Sequence, residues 1–390
     1  MEDKKLKIAI VCDAFFPMVD GVISVVHNYA TILSQKHDVT VFAPATKDKT
    51  FKDNYPYKVV RCKIFPINFG DYNMSMPAFD KKFKKALKDG NFDIVHIHSP
   101  FTIAHQAIKV ANKQKTPIIV TFHSQFQYDF KKATHSEILT NMLIKYVANA
   151  FNKCDELWTM NPKMEELSRS YGYKGPVVLT PNGCELKREN IDEQKLNEFR
   201  AQYCAPDEKM FLYVGRIHVL KNIEFILRSL KVLKEKDFKF KMIFVGNGQD
   251  YNYLTKLNKE LDLEDCVKFV GKVADRSLLQ YYFAASDLFL FPSKYDSDGI
   301  VKCEAAAFKT PTVFLDGTFA ASAATDGYNG YVVNEDTEQF ANKIIEIFED
   351  EENYNQVCIN AEKTLYLTWD DIVKTAEQQY YDAINKYSNK

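Results

Sequence analysis

The sequence contains no Cys-x-x-Cys pair, no long apolar run and almost no net charge. Its eight cysteines are scattered, which argues against a zinc site and is typical of reduced thiols in the cytosol. No apolar stretch approaches the roughly 18 residues that a membrane-spanning helix needs. Asp13 interrupts the apolar stretch near the N-terminus, so we interpret that stretch as a strand and not as a secretory signal.

The composition is that of a globular protein, with 46% apolar and 26% charged residues, and a length of 390 residues favours two domains. The net charge of −1 conceals an asymmetry. Residues 1–188 carry 27 Lys and Arg against 18 Asp and Glu, a net charge of +9, whereas the remainder carries −10. Such a split indicates either an anionic partner for the first half or simply a solvated surface.

Short apolar runs alternate with helical patterns in the first half of the chain, which predicts a parallel sheet wound by crossover helices. The predicted strands lie at residues 7–11, 37–43, 92–98, 117–123, 155–160 and 176–181.

A second alternating series follows a polar, charged segment that begins near residue 190. Its predicted strands lie at residues 210–215, 239–246, 266–271, 287–292, 310–315 and 330–333. We therefore predict an α/β protein with two doubly wound domains, residues 1–188 and 189–367, and a C-terminal helix within residues 368–390. Since ligands of open α/β sheets bind at the carboxyl ends of the strands, a cleft between the two sheets is the expected site.

The segment PSKYDSDGIVKCEAAAFKTPTV, residues 292–313, carries the sharpest pattern. A strand end and a polar loop precede a predicted helix start at Gly299, where free N–H groups and the helix dipole favour an anion. Asp296 and Glu304 stand eight residues apart, one on the loop and one in the helix. Carboxylates suit sugar recognition, because each can accept hydrogen bonds from two hydroxyl groups.

Other predicted strand ends carry further candidates. In YVGRIHVLKN, a strand is followed by Arg216 and Lys221 at the start of a helix. In DAFFPMVDGV, Gly21 stands between a strand and a helix, where it allows close backbone approach. His123 follows the strand of TFHSQF, and His98 in HIHSP is a weaker candidate. Each of these residues, taken singly, also has a structural explanation. Arg216 and Lys221 could form surface ion pairs, Gly21 could simply allow a turn, and the histidines could be structural hydrogen-bonding groups.

Together these segments resemble the retaining glycosyltransferases of family 4, which have the GT-B fold of two Rossmann-like domains facing a cleft. The spacing of Asp296 and Glu304 is similar to the Glu-x7-Glu motif of that family, with aspartate in place of the first glutamate. PNGCE, residues 181–185, is similar to its Pro-Asn-Gly-Val/Ile-Asp segment. The resemblance spans nearly the whole chain in order, and it implies that the C-terminal helix crosses back to the first domain.

The resemblance implies a role for each matching residue in handling a nucleotide-sugar donor. Asp296 would hold hydroxyls of the sugar, Glu304 would hold the ribose, and Arg216 and Lys221 would neutralise the diphosphate. His123 would lie beside the reacting centre. We assign His123, Arg216, Lys221 and Asp296 to catalysis. The remaining implied donor contacts belong to the glycine loops, the base-binding segment and the helix start: Gly21, Gly246, Val273, Gly299, Ile300 and Val301.

The implied activity is transfer of a hexose from a UDP-sugar to a hydroxyl acceptor, with glucose as the expected sugar. Segments 98–108, 121–130 and 295–317 look most like bacterial transferases that glucosylate diacylglycerol. A cell-surface or capsular saccharide acceptor stays open. The aspartate at position 296 also permits a non-catalytic nucleotide-sugar-binding partner of another transferase. An epimerase or phosphorylase of the same fold is a further possibility.

No cofactor is expected, because the UDP-sugar is a substrate. No metal is expected if the charges of Arg216 and Lys221 suffice, and no nucleic-acid partner is expected. Asp296-Ser297-Asp298 matches the metal-binding Asp-x-Asp of another glycosyltransferase fold, but here it occupies the Glu-x7-Glu loop. The expected location is the cytoplasm, with peripheral association at the inner face of the cell membrane.

Residues 79–90 predict a basic amphipathic helix. Phe79, Phe83 and Leu87 recur at a spacing of four, with lysines between them. Such a helix either lies on an anionic bilayer or packs against the protein core.

Overall fold

The computed structural model describes residues 4–18, 20–69 and 72–388, and the chain forms two compact units. The first unit consists of Met1–Asn182 together with Trp369–Lys390, and the second consists of Gly183–Thr368. Each unit is built on its own sheet of parallel strands.

Within the described residues, the first unit has nine strands: β1 (Lys7–Val11), β2 (Asp38–Pro44), β3 (Lys58–Cys62), β4 (Ile64–Phe69), β5 (Tyr72–Ser75), β6 (Ile94–Ile97), β7 (Ile118–Phe122), β8 (Glu156–Thr159) and β9 (Val177–Leu179). Seven of them form a parallel sheet in the order β3-β2-β1-β6-β7-β8-β9, and β4 pairs antiparallel with β5. The order reverses beside β1, and in such sheets ligands bind at the carboxyl ends of the strands near this switch point.

The crossover helices of the first unit follow the chain order: α1 (Gly21–Leu33), α2 (Lys81–Asp89), α3 (Thr102–Gln114), α4 (Phe126–Thr134), α5 (Glu137–Phe151) and α6 (Pro162–Ser170). The central strands are covered on both faces, and residues 8–11 of β1 are fully buried. This burial explains why the strands read as continuous apolar runs, which are typical of parallel sheets.

The second unit has a six-stranded parallel sheet in its described residues: β10 (Lys209–Val214), β11 (Phe240–Val245), β12 (Val267–Gly271), β13 (Leu288–Phe291), β14 (Thr312–Leu315) and β15 (Tyr331–Val333). The order is β12-β11-β10-β13-β14-β15. It therefore has its own switch point between the adjacent strands β10 and β13.

The helices of the second unit are α7 (Glu193–Ala201), α8 (Ile223–Glu235), α9 (Tyr251–Glu260), α10 (Arg276–Ala285), α11 (Ile300–Ala307), α12 (Thr337–Glu349) and α13 (Glu351–Leu365). A short 3-10 helix, Val219–Lys221, directly precedes α8.

The last helix, α14 (Trp369–Ser388), belongs to the first unit. Its Tyr380 hydroxyl lies 2.5 Å from Nδ1 of His96, and the Tyr380 ring stacks on Trp158. Glu377 of the same helix accepts a hydrogen bond of 2.7 Å from Nζ of Lys36. The prediction that a C-terminal helix returns to the first domain is confirmed.

The structure of helix α2 decides between the two interpretations of residues 79–90 in favour of a helix that packs against the core. Phe83 and Leu87 are buried, and the Phe83 ring packs edge-on against Phe42 of β2. Phe79 is exposed, but it lies before the helix, in the 3-10 turn Pro77–Phe79. The apolar face of α2 therefore packs against the core. Over residues 4–18, 20–69 and 72–388, no helix combines the length and apolarity needed to cross a bilayer.

Candidate active site

The switch point of the second sheet brings two of the predicted residues together. Lys221 follows β10 and Asp296 follows β13, and these two strands are neighbours. Nζ of Lys221 lies 2.6 Å from Oδ1 of Asp296, and the two side chains are only 16% and 22% exposed. The ammonium group also lies 5.4 Å from the centre of the Tyr295 ring. A cation is thus fixed at the strand ends, where an anionic ligand is expected.

Asp296 has a second carboxylate oxygen that is left without a hydrogen-bond donor. Oδ2 is buried, and none of the residues that the structure describes donates to it. Buried polar atoms are nearly always hydrogen-bonded, so an unpaired carboxylate oxygen needs an explanation. A ligand hydroxyl group would provide the missing donor.

Glu304 is held by a residue that the sequence analysis missed. Glu304 lies in α11 and is buried, and its Oε1 accepts a hydrogen bond of 2.6 Å from Nη2 of Arg276, the first residue of α10. A cation in the first turn of a helix is disfavoured by the helix dipole. This misplaced charge, directly after the predicted base-binding segment, was a signal that could have identified Arg276.

Asp298 and Lys302 form an ion pair that was not predicted from the sequence. Both side chains are buried, and Nζ of Lys302 binds the Asp298 carboxylate and, at 2.8 Å, the Asp298 backbone carbonyl. The pair ties the loop to the first turn of α11, immediately around Gly299. Two charges four residues apart in an otherwise apolar helix start were the available signal.

The two carboxylates of the Asp-x-Asp sequence therefore face different lysines. Asp296 binds Lys221 and Asp298 binds Lys302. In the described ranges, no group of three or more His, Cys, Asp or Glu side chains has a geometry that could hold a metal ion.

The glycine loops are explained in part by backbone packing. A Cβ atom added at Gly246 would lie 1.8 Å from the carbonyl oxygen of Gly215, so the loops after β10 and β11 touch. Gly299 has φ of +77°, and a Cβ atom there would meet the Phe291 ring. Ile300 and Val301 begin α11 directly after it, and the first N–H groups of a helix have no intrahelical acceptor.

Arg216 and Val273 also follow strands of the second sheet, but fewer contacts fix the positions of their side chains. Arg216 is exposed, and no hydrogen bond or ion pair joins its side chain to the described residues. Its backbone carbonyl accepts a hydrogen bond from the Tyr213 hydroxyl. Val273 follows β12 and is half-buried. The assigned roles of both residues stay predictions.

In the first unit, Gly21 is the first residue of α1. The side chain of Asp20 caps this helix by accepting a hydrogen bond of 2.8 Å from the Ile23 amide. A Cβ atom at Gly21 would meet no heavy atom within 4 Å among the described residues. Packing within the protein therefore does not require glycine at position 21. Close approach of a ligand to the backbone would explain why glycine stands there.

His123 lies in a row of buried aromatic side chains at the ends of β6 and β7. Its Nε2 is 3.0 Å from Nδ1 of His98, and the two rings stack. His96 lies 2.7 Å from the Thr121 hydroxyl. Burial holds the pKa values of His96 and His98 well below the usual value, and the neighbouring histidines act in the same direction. Both rings are therefore neutral at pH 7.

Asp13 has a structural role that its position in the sequence did not reveal. It follows β1 and accepts hydrogen bonds from the Ile103 and Phe101 amides and from the Thr102 hydroxyl at the start of α3. Burial raises the pKa of Asp13 to about 6, although these hydrogen bonds act in the opposite direction.

The buried histidines predict acid sensitivity of the first unit. Below pH 6.5 the unfolded chain binds protons at His96 and His98, whereas the folded unit does not, so stability falls as the pH falls. Each histidine contributes up to about 1.4 kcal/mol per pH unit to this slope, a limit that is approached only well below pH 6.5, where the unfolded histidine is fully protonated. We expect His98→Gln to lose one such contribution in melting experiments between pH 7.5 and pH 5.5.

His135→Gln, which replaces an exposed histidine of the same unit, is measured alongside as the comparison variant. Asp13 titrates in the same range with the opposite effect, because its raised pKa favours the folded state as the pH falls. It is present in all three proteins and cancels in the comparison. If stability changed with pH equally in the wild type and in His98→Gln, the lowered pKa of His98 would be contradicted.

Two family profiles match the chain. "Glycosyltransferase Family 4" matches residues 19–188, and "Glycosyl transferases group 1" matches residues 195–364. Together they span most of the chain and leave residues 1–18, 189–194 and 365–390 unmatched. The chain therefore belongs to the group 1 and family 4 glycosyltransferases.

Two relatives of similar length share one name. The alpha-monoglucosyldiacylglycerol synthase of Streptococcus pneumoniae (strain ATCC BAA-255 / R6) is 27% identical over 97% of this chain and 86% of its own length. The enzyme of the same name from Acholeplasma laidlawii is 24% identical over 99% of both chains.

Among solved structures, Anabaena Alr3699/HepE in complex with UDP matches with a TM-score of 0.78, at 17% identity, over 98% of this chain and 100% of that one. A likeness at this identity shows the fold alone. The predicted GT-B fold is confirmed.

Proposed function

We propose that this glycosyltransferase moves glucose from UDP-glucose to the hydroxyl group of diacylglycerol, with retention of the anomeric configuration. The observation that carries the proposal is the ion pair of Lys221 and Asp296 at the switch point of the second sheet, with Oδ2 of Asp296 buried and unpaired. Such a site offers one cation for a phosphate and one acceptor for a sugar hydroxyl.

In this proposal the donor spans the strand ends of the second unit. Glu304, oriented by Arg276, accepts hydrogen bonds from the ribose hydroxyls, and Asp296 accepts one from the sugar. Val273 meets the base and Gly246 lies against the nucleotide. The N–H groups of Ile300 and Val301, beyond Gly299, face the diphosphate, where the helix dipole favours negative charge.

The chemical step is departure of UDP with attack of the acceptor on the same face of the sugar. Negative charge grows on the β-phosphate as the glycosidic bond breaks, and Arg216 and Lys221 stabilise it electrostatically. The proposal assigns this neutralisation to side chains and not to a metal ion. The acceptor hydroxyl loses its proton to the leaving phosphate, so the products are the glycoside and UDP.

Two observations support a lipid acceptor. Both relatives described above are named for glucosyl transfer to diacylglycerol. Residues 1–188 carry the net charge of +9, which suits an anionic membrane surface. In the proposal the first unit binds the acceptor, Gly21 contacts the donor, and His123 lies beside the reacting centre. The protein acts in the cytoplasm at the inner membrane face.

Calorimetric titration with UDP and with UDP-glucose tests the donor site. Asp296→Asn should weaken UDP-glucose binding relative to UDP by about ten-fold or more, because the sugar is the only part of the donor that the proposal places against this carboxylate. Glu304→Gln should weaken both ligands alike, because both contain the ribose.

Asp207→Asn is the matched control, since Asp207 is exposed and pairs with Lys239 on the surface of the same unit. It should bind both ligands like the wild type. The donor assignment fails if the wild type binds neither ligand, or if Asp296→Asn weakens UDP as much as UDP-glucose.

A further inference from the structure

Helices α4 and α5 form a hairpin in the first unit whose outer surface is apolar at one end. The inner face of α5 is buried, and its Phe151 ring packs on Phe122 of β7. On the outer face, Ile138, Leu139 and Met142 are 75%, 48% and 62% exposed. Single exposed apolar side chains are ordinary, but three within five positions form a continuous patch on one end of the helix.

Basic side chains surround this patch. Lys131 of α4 lies 2.5 Å from Glu137, which places it beside the first turn of α5, and Lys132 is exposed next to it. Lys145 lies one turn beyond Met142 on the same helix face. Residues 126–153 contain four lysines against two carboxylates, and one of those carboxylates, Glu137, is already paired. Apolar side chains ringed by lysines are complementary to an anionic bilayer surface.

The patch projects from the edge of the first sheet where the acceptor is expected. Helix α4 begins three residues after His123, at the carboxyl end of β7. The ring of Tyr146 in α5 lies 4.2 Å from that of His105 in α3, which fixes the relative height of these two crossover helices. Tyr146 lies nine residues after the start of α5, whereas His105 lies three residues after the start of α3. Both helices run antiparallel to the strands, so at a rise of 1.5 Å per residue the start of α5 extends about 9 Å farther past the carboxyl edge of the sheet than the start of α3 does.

We infer that the start of α5, with Lys131, Lys132 and Lys145 around it, is the surface by which this protein docks on anionic lipid bilayers. Ile138, Leu139 and Met142 enter the headgroup region, and the lysines contact the anionic headgroups. The inference deepens the proposed function and rests on it for its purpose, because a diacylglycerol acceptor never leaves the membrane.

Helix α2 is the competing basic surface of the same unit. Its apolar residues Phe83 and Leu87 are buried, and the exposed Phe79 lies before the helix, so α2 itself presents lysines to solvent. Charge without apolar side chains to insert binds bilayers weakly and is screened by salt. The hairpin of α4 and α5 offers both positive charge and apolar side chains that can insert.

Co-sedimentation with vesicles tests the inference. One set contains phosphatidylglycerol mixed with phosphatidylcholine, and the other contains phosphatidylcholine alone. We expect the wild type to bind the anionic vesicles. The double variant Ile138→Glu/Met142→Glu should reduce the bound fraction by about ten-fold or more, because it removes the inserted surface and adds repelling charge.

Ile359→Glu is the matched control, because Ile359 is exposed on α13 in the second unit. It and Phe79→Glu should bind like the wild type. The substituted side chains are exposed, so melting temperatures should be unchanged in all variants. The inference is overturned if the double variant binds like the wild type, if Phe79→Glu abolishes binding, or if the wild type binds neither vesicle type.

Two further measurements separate the remaining outcomes. Light scattering without vesicles would reveal a dimer that the double variant disrupts, and this result would assign the patch to a second copy of the chain and overturn the inference. UDP release from UDP-glucose with detergent-dispersed diacylglycerol tests the proposed function without vesicles. Vesicle binding without that activity would contradict the proposed acceptor and leave the docking surface standing.

Discussion

Lys221→Ala is expected to lower the turnover of UDP-glucose by about 10²- to 10³-fold, as is typical when a group that stabilises a developing anion is removed. The ammonium group is held at 2.6 Å from Asp296, so it is positioned before the charge develops and needs no rearrangement during the reaction. The loss should appear in kcat, because the interaction strengthens as the sugar–phosphate bond breaks. Steady-state UDP release measures it.

Two variants separate the role in turnover from an effect on folding. Lys231→Ala removes a lysine that pairs with Glu235 on the surface of the adjacent helix α8, and it should have wild-type turnover. Lys221→Arg keeps the charge and should retain much more activity than the alanine variant. Unchanged turnover of a folded Lys221→Ala protein would remove Lys221 from the mechanism.

Lys302→Met is expected to destabilise the second unit by about 3–5 kcal/mol, because it leaves the Asp298 carboxylate buried without its cation. Both side chains of this pair are less than a tenth exposed. A domain of this size shifts its melting temperature by roughly 2–4 °C per kcal/mol, so calorimetry should show a decrease of roughly 6–20 °C. The double variant Asp298→Leu/Lys302→Met should recover most of the loss, since it buries no charge.

The exposed pair of Lys256 and Glu260 has the same spacing of four residues and serves as the control. Lys256→Met should cost less than about 0.5 kcal/mol. The double variant also tests the position of the loop, because Lys302 holds the Asp298 carbonyl directly before Gly299. We expect it to be stable but to have a raised KM for the donor. A single variant as stable as the wild type would show that the pair is not needed for the fold.

The sequence predicted the parts of the site that follow from strand ends. Lys221 and Asp296 each follow an apolar run that forms a strand, so the loops that carry them were identifiable. Their contact depends on β10 lying beside β13, which the order of strands along the chain does not reveal. The family resemblance predicted that the two residues act at one site, which composition and periodicity could not.

Residues whose partners are distant in the sequence were missed. Arg276 reaches Glu304 from a different helix. Its charge at the start of α10 was visible in the sequence, but the identity of its partner was not. Strand β3 was also missed, because it lies at the sheet edge, where its half-buried residues form no continuous apolar run. The amphipathic pattern of α2 predicted its helix, but the same pattern fits a core-facing and a membrane-facing helix.

The most direct test of the account is to incubate the protein with UDP-glucose and diacylglycerol and to analyse the lipid product by NMR spectroscopy. The account predicts one α-linked glucosyl diacylglycerol and one UDP for each molecule of product, both strongly reduced in Lys221→Ala. A β-linked product would contradict retention. Absence of UDP release from the folded wild type, with diacylglycerol or with saccharide acceptors, would contradict glycosyl transfer at this site.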